Sequence, residues 1–394
     1  MPPGSIARVA SPAATCAYNS ATMHQPKRST RNLAAACAAL TVTIAGCSLL
    51  SGQPTPTPTA TSTATASTDV STETATPSPT PQLVKSVVLV AQLGEPKDWT
   101  PAGLTWKGIQ SEAAIIGAEP TLIEPATDSE IPADLDRAAT PASVVVTVGP
   151  DSDAAVQAAA AAHPGVQFLE LDVAVPDSAP ANVHGLVFDE AEAGYVAGYV
   201  AAAFATSGGV GMVGDTKTDP RSANYAAGVV AGASEFGPGV KVTVAYAGSP
   251  DAPDMGRTAA TGLVKAGDAV IVALPSLSGI GAMRQACSSR TGIVGVDGDA
   301  WQLVPDVQAC VIVSVLKRFD IAVGNAIHTI ATGESLPRVA LNDIASGGIA
   351  LSDFHADQPA GLQAGLDAVM ATLERRPTPS AAVTTAAPSA SPSA

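Results

Sequence analysis

Residues 267–298 read GDAVIVALPSLSGIGAMRQACSSRTGIVGVDG, and this stretch decides the fold class. AVIVALP (269–275) and GIVGVDG (292–298) are short, almost uninterrupted apolar runs rich in Val and Ile, and residues 278–288 between them suit a helix. Strands that are apolar on both sides belong in parallel sheets covered by helices on both faces. A strand, a short helix and a second strand form one right-handed crossover unit. The stretch therefore predicts α/β architecture.

The same alternation extends in both directions. Strands are expected at 84–92, 119–125, 143–149, 166–172, 183–189, 209–215, 240–247 and 308–315, with short strands near 338–352. Helices are expected at 103–116, 151–162, 190–205, 221–236, 254–266, 316–332 and 359–375. That is too many units for one sheet, so the sequence predicts two doubly wound parallel-sheet lobes over residues 83–375. Ligands of such sheets bind beyond the carboxyl ends of the strands. Those ends carry Gln92, Gly149, Asp172, Asp189, Asp215, Ser249, Ser276 and Asp297. Asp189 and Asp215 read as helix caps or turn residues. Asp172 and Asp297, after long apolar strands, are the stronger ligand candidates, with Gly149 beside them.

The flanks have a different character. KRSTR (27–31) is a basic region, Leu33 to Ile44 is apolar but short for a membrane span, and Ile44-Ala45-Gly46-Cys47 follows. This order is that of an export signal, and its end resembles a bacterial lipobox. Residues 1–46 are thus expected to be a signal peptide, with 1–22 upstream of an alternative start at Met23, and Cys47 to carry lipid. Residues 47–82 are a Pro/Thr/Ser-rich tether, and 376–394 have a similar composition without core-forming content.

Charge and motifs exclude several classes. The chain of 394 residues has a formal net charge of −15, and its four bases before Cys47 (Arg8, Lys27, Arg28, Arg31) leave 16 bases against 35 acids beyond it. Such a chain is not expected to bind a nucleic-acid backbone. Gly209-Val-Gly211-Met-Val-Gly214 satisfies GxGxxG, but it lies on an expected strand and does not open a helix, so no dinucleotide is predicted. There is no GxxxxGK[ST], HExxH or CxxC, and His163, His184, His328 and His355 have no metal-ligand spacing. Neither cofactor, metal nor catalysis is expected. Cys287 and Cys310 form either a disulfide, in an oxidising compartment, or two buried thiols.

Several segments, in order, resemble the basic membrane protein family of bacterial solute-binding lipoproteins, which includes purine-nucleoside receptors. They are HPGVQFLELD (163–172), NVHGLVFDEAEAGYVAGYVAA (182–202), GGVGMVGD (208–215), YAAGVVAGA (225–233), GDAVIVALPSLSGIGAMRQA (267–286), IVGVDGD (293–299) and VIVSVLKRFDIAVGNAI (311–327). The resemblance implies a type I periplasmic-binding-protein fold, with a hinge of crossing strands and a small solute enclosed between the lobes. It implies delivery of that solute to an ABC permease from the extracytoplasmic face of the cell membrane. By matching residues it implies that Asp297 accepts hydrogen bonds from ligand hydroxyls. Lys317 is placed near it, either pairing with Asp297 or donating to ligand, with Asp98 and the Ser278–Gly279 loop contributing. The chain departs from the family where stacking aromatics are expected, at Pro101 and Pro250. Trp99 is the candidate substitute and Trp301 a second. The expected ligand is nucleoside-like or polyhydroxylated. The alternative is a sensory or structural lipoprotein with the same fold. Gly194 and Gly198, four apart on one helix face, read as a packing seam.

Overall fold

The structure, a computed structural model, describes residues 84–91 and 100–375. Gln92, Asp98, Trp99, Cys47 and both expected tails lie outside these residues.

The chain first builds β1 (Ser86–Val90), α1 (Pro101–Ile116), β2 (Glu119–Ile123), α2 (Ile131–Ala139), β3 (Val144–Val148), α3 (Asp153–Ala162), β4 (Gln167–Leu171) and β5 (Val183–Phe188). It then crosses into α4 (Glu190–Phe204), β6 (Gly209–Gly214), α5 (Pro220–Phe236), β7 (Val242–Tyr246), α6 (Pro253–Lys265), β8 (Asp268–Ala273), α7 (Leu277–Ser288), β9 (Gly292–Asp297), α8 (Ala300–Leu303) and β10 (Val311–Lys317). It ends with α9 (Phe319–Ala331), β11 (Val339–Asn342), β12 (Ile349–Leu351) and α10 (Leu362–Leu373).

Two six-stranded sheets result. Their strand orders are β11-β5-β4-β3-β1-β2 and β12-β10-β9-β8-β6-β7, so β4 in one lobe occupies the place of β9 in the other. The first sheet is wholly parallel; in the second, β12 runs antiparallel to β10. All five residues of β3 and all six of β6 are buried, as strands covered on both faces require. Each fully buried Val or Ile contributes roughly 1.5–3 kcal/mol.

The helices start where local chemistry allows. Thr100 Oγ1 accepts from Gly103 N ahead of Pro101 at the first turn of α1, and Gly117 ends that helix at φ +74°. Asp189 caps α4, Asp219 caps α5 and Ser276 caps α7 through side-chain oxygens. Helices α4 and α5 approach closely because a Cβ on Gly194 or Gly198 would lie 2.5 or 2.2 Å from the carbonyl oxygens of Tyr225 and Val229. The expected glycine seam is therefore present.

Two expectations needed revision. Helix α2 falls where the sequence reading assigns no element; Pro132 obscures it, yet proline in the first turn costs no hydrogen bond. Strand β10 runs to Lys317 and not to 315, and α9 begins at Phe319 and not at 316. Ladder pairing holds Lys317 opposite Ile349 in β12, which keeps it in the strand.

The chain crosses between lobes three times: between β5 and α4, between β10 and α9, and between β11 and β12. α4 packs on β8, β9 and β10, and α9 on α1. A disulfide joins Cys287 and Cys310 across 23 residues of lobe two. On the outer face of lobe one, Glu170 is completely buried beside Thr147 of the neighbouring strand, and no well-aligned hydrogen bond reaches either carboxyl oxygen. Among the described residues no helix is long and apolar enough to cross a membrane.

Candidate functional site

Asp172 directly follows β4, and Asp297 ends β9, so the two lobes present carboxylates from equivalent sheet positions. Both have left-handed backbone, φ +62° and +66°. Only Gly, Asn and Asp visit this region routinely, and elsewhere it costs roughly 1–2 kcal/mol per residue. Among the described non-glycine residues only Arg290 shares it. Backbone conformation of this kind at two matched strand ends marks the crevice between the lobes as the place to look for a ligand.

Lys317 ties the two ends together. Its side chain has no exposure, and Nζ donates to Asp172 Oδ1 at 2.8 Å, Asp172 Oδ2 at 3.1 Å and Glu190 Oε1 at 3.1 Å. Asp297 Oδ1 lies 3.6 Å away, and the ammonium sits 5.4 Å from the centroid of the Phe188 ring. Burial alone would lower the Lys317 pKa, but Asp297, Asp172 and Glu190 together hold it above its usual value. Burial pushes Glu190 upward, against the pull of Lys317. With three protons and these carboxylates around it, Lys317 is a strut at a crossing point. The pairing expected with Asp297 is the longer contact; Asp172 is the main partner.

Arg221, on the first turn of α5, spans the crevice. One terminal nitrogen lies 3.4 Å from Asp172 Oδ2 and the other 3.8 Å from Asp297 Oδ2, while its buried Nε has no protein partner. Tyr225, one turn along the same helix and wholly buried, donates its hydroxyl to Asp297 Oδ1. These contacts fix the Asp297 carboxylate in place at the edge of a cavity of about 220 Å³.

The cavity has a polar end formed by Asp172, Arg221 and Asp297, and an apolar wall formed by Pro101, Leu104, Pro275, Leu303 and Phe319. It is smaller than the roughly 300–1,000 Å³ of drug-sized pockets, which suits a small solute. Asp172, Asp297 and Pro101 were anticipated from sequence. Arg221, Tyr225, Glu190, Leu104, Leu303 and Phe319 were not. Arg221 had a usable signal: Asp219-Pro220 begins a helix after a parallel strand, so the next residue belongs at the carboxyl edge of the sheet.

Other anticipated residues lie elsewhere. Ser278 is buried, donating to Ser249 O and accepting from Ala252 N, so it joins two loops and does not line the cavity. A Cβ on Gly279 would lie 1.7 Å from Leu274 O, so this glycine is required by packing. Gly149 (φ +81°) closes β3 with its N–H on Leu171 O, also off the cavity. Pro250 is exposed and accepts from Ser278 N. Trp301 stacks on His355 at 4.9 Å between ring centroids and does not line the cavity. Asp189 is the cap expected of it. Asp215 is not a cap: it accepts from Ser276 Oγ, tying the ends of β6 and β8, and burial raises its pKa.

Comparison with known proteins places these features in context. Residues 106–359 match the family model described as ABC transporter substrate-binding protein, PnrA-like. Basic membrane protein A1 of Borrelia garinii subsp. bavariensis is 29% identical over 203 residues, covering 50% of this chain and 60% of the relative. The match therefore spans about three fifths of that relative's length. An ABC transporter system solute-binding protein from Conexibacter woesei aligns with a TM-score of 0.60 at 22% identity, over 75% of this chain and 98% of that one. A transcriptional activator of the comK gene from Bacillus halodurans aligns with a TM-score of 0.62 at 16% identity, over 74% and 98%.

Proposed function

The chain belongs to the PnrA-like family of ABC-transporter substrate-binding proteins, and from that premise we propose that it captures a small neutral polyhydroxylated or nucleoside-like solute between its lobes for delivery to an ABC permease. The observation that carries this reading is the Asp297 carboxylate, anchored by Tyr225 and faced by Arg221 at the polar end of the interlobe cavity. An ionised carboxylate accepts from two ligand hydroxyls at once. Two cations, Lys317 and Arg221, stand against Asp172, Asp297 and Glu190, so the site has no surplus positive charge to attract an anion. Binding without turnover is the reading because the charged groups of the cavity are engaged with one another. Asp98 and Trp99 are proposed as further ligand contacts.

The proposal includes the anchor. The lipobox at Cys47 and the Pro/Thr/Ser-rich tether over 47–82 suit a binding domain, residues 83–375, held at the extracytoplasmic face of the membrane. The test is calorimetric titration with nucleosides, free pentoses and other polyols on wild type and Asp297→Ala. A charged hydrogen bond of about 1.5–3 kcal/mol predicts a loss of roughly tenfold or more. Unchanged affinity in the variant would remove Asp297 from the site. Solute uptake in cells lacking the protein then decides whether capture serves import or sensing.

A further inference from the structure

The interlobe cavity has a neighbour. A second cavity of about 70 Å³ lies in lobe two, and Pro275, Gly298 and Leu303 bound both. Beyond these three shared residues, the smaller space is lined by Ile280, Met283, Ala300 and Val304. No side chain on its wall is polar. The backbone N–H groups of its lining are committed as well. Ile280 donates to Ser276 O, Gly298 to Val296 O, Ala300 to Ser314 Oγ, Leu303 to Asp299 O and Val304 to Ala300 O.

Such a space is a poor host for water, which needs two to four polar partners, and a good host for an apolar group. Its location matters as much as its lining. Asp297 and Gly298 are consecutive, so the carboxylate proposed to grip hydroxyls and the mouth of the apolar annex are adjacent on one backbone. Leu303 bounds both spaces, and its Cδ1 is 2.5 Å from where a Cβ on Gly298 would stand, so its flexible tip packs directly against the bare Gly298 backbone.

We propose that the annex is a specificity subsite, and that the solute carries a short apolar arm of about two or three heavy atoms, an alkyl or alkylthio substituent on an oxygen-rich ring. This inference rests on the polyol reading of the main cavity. It divides recognition into two parts, with hydroxyls at Asp297 and Arg221 and the arm behind Leu303.

The experiment uses D-ribose as the parent probe, with two series of derivatives: 1-O-alkyl ribosides and 5-deoxy-5-alkylthio riboses, from methyl to propyl. Hydroxyethyl analogues of matching length are the polar controls. Affinities are measured by calorimetry on wild type and on two variants that fill the annex from different walls, Ile280→Phe and Val304→Leu, each checked for folding by circular dichroism. One series is expected to bind wild type roughly tenfold or more tighter than ribose, since a methylene in a fitted apolar pocket is worth about 10–200-fold. The hydroxyethyl analogues should not share the gain, and the filling variants should lose it while keeping ribose affinity within about twofold. If ribose binds but neither series improves on it, or if the gain persists in both variants, the annex inference is overturned and the polyol reading stands. If neither ribose nor any derivative binds, the polyol reading falls first and the annex falls with it.

Discussion

Replacing Glu170 by Gln should flatten the pH dependence of stability, and the size of the effect follows from where Glu170 sits. It is fully buried on β4, no well-aligned hydrogen bond reaches either oxygen, and the Asp153 carboxyl is close enough to interact with it. Burial, then the nearby Asp153 carboxylate, push its pKa from 4.5 to about 8. The folded state thus binds this proton more tightly than the unfolded chain. The stabilisation is complete below pH 4.5 and is lost as pH rises towards 8. The full span is about 5 kcal/mol at roughly 1.4 kcal/mol per unit. Between pH 5 and pH 7 the loss from this one group is about 2–3 kcal/mol, by the linkage relation. Glutamine has the shape of the protonated acid and does not titrate. Urea unfolding at pH 5 and pH 7 should therefore show wild type losing about 2–3 kcal/mol more than Glu170→Gln over that interval. The comparison is between slopes, so any fixed cost of the amide cancels. Parallel pH profiles for the two proteins, within about 0.5 kcal/mol, would refute the argument and mean that Glu170 is solvated or ionised in the fold.

Lys317→Met should destabilise by about 3–5 kcal/mol, because it leaves Glu190 without its cation and Asp172 and Asp297 with only the longer contacts of Arg221; a melting temperature unchanged by the substitution would mean the strut carries no load. Cys47→Ser should move the protein from the membrane fraction to the soluble fraction, and the intact chain should show lipid mass on its first tryptic peptide. Changing both Cys287 and Cys310 to Ser opens a loop of 23 residues, for which chain entropy predicts a loss of about 3 kcal/mol in denaturant titration.

The strand-and-helix succession was legible because strands buried on both faces are nearly continuous apolar runs, and 144–146 and 269–273 are. Asp172 and Asp297 were legible for a related reason: a carboxylate directly after such a strand breaks the apolar pattern at the edge where ligands bind. Residues that come together only through lobe pairing were harder. Phe319, Leu104 and Leu303 belong to three helices in two lobes, and each reads locally as an ordinary core residue. The role of Lys317 was blurred by a strand boundary placed two residues early, which put it on a helix when it ends β10. Ser278 and Gly279 do not line the cavity, and for Gly279 sequence could not tell why: a glycine that permits close backbone approach looks the same whether a ligand or a carbonyl oxygen is the neighbour.

The three crossings have a consequence for synthesis. Lobe one takes its edge strand β11 from Val339–Asn342, paired with β5 more than 150 residues earlier, and lobe two takes β12 from Ile349–Leu351. Neither lobe is a contiguous stretch of chain. Both sheets stay one strand short until nearly the last of the domain has been made; a nascent chain keeps the β5 edge of lobe one open through the whole synthesis of β6 to β10, and the β10 edge of lobe two open until β12 follows α9 and β11. Pairing across such separations is slow to form, and open edges invite association with other chains. A chain sent across a membrane before it folds would reach its last two strands only at the end of passage. Truncation between residues 318 and 338 should therefore yield two unfinished lobes, and not one finished lobe and one missing.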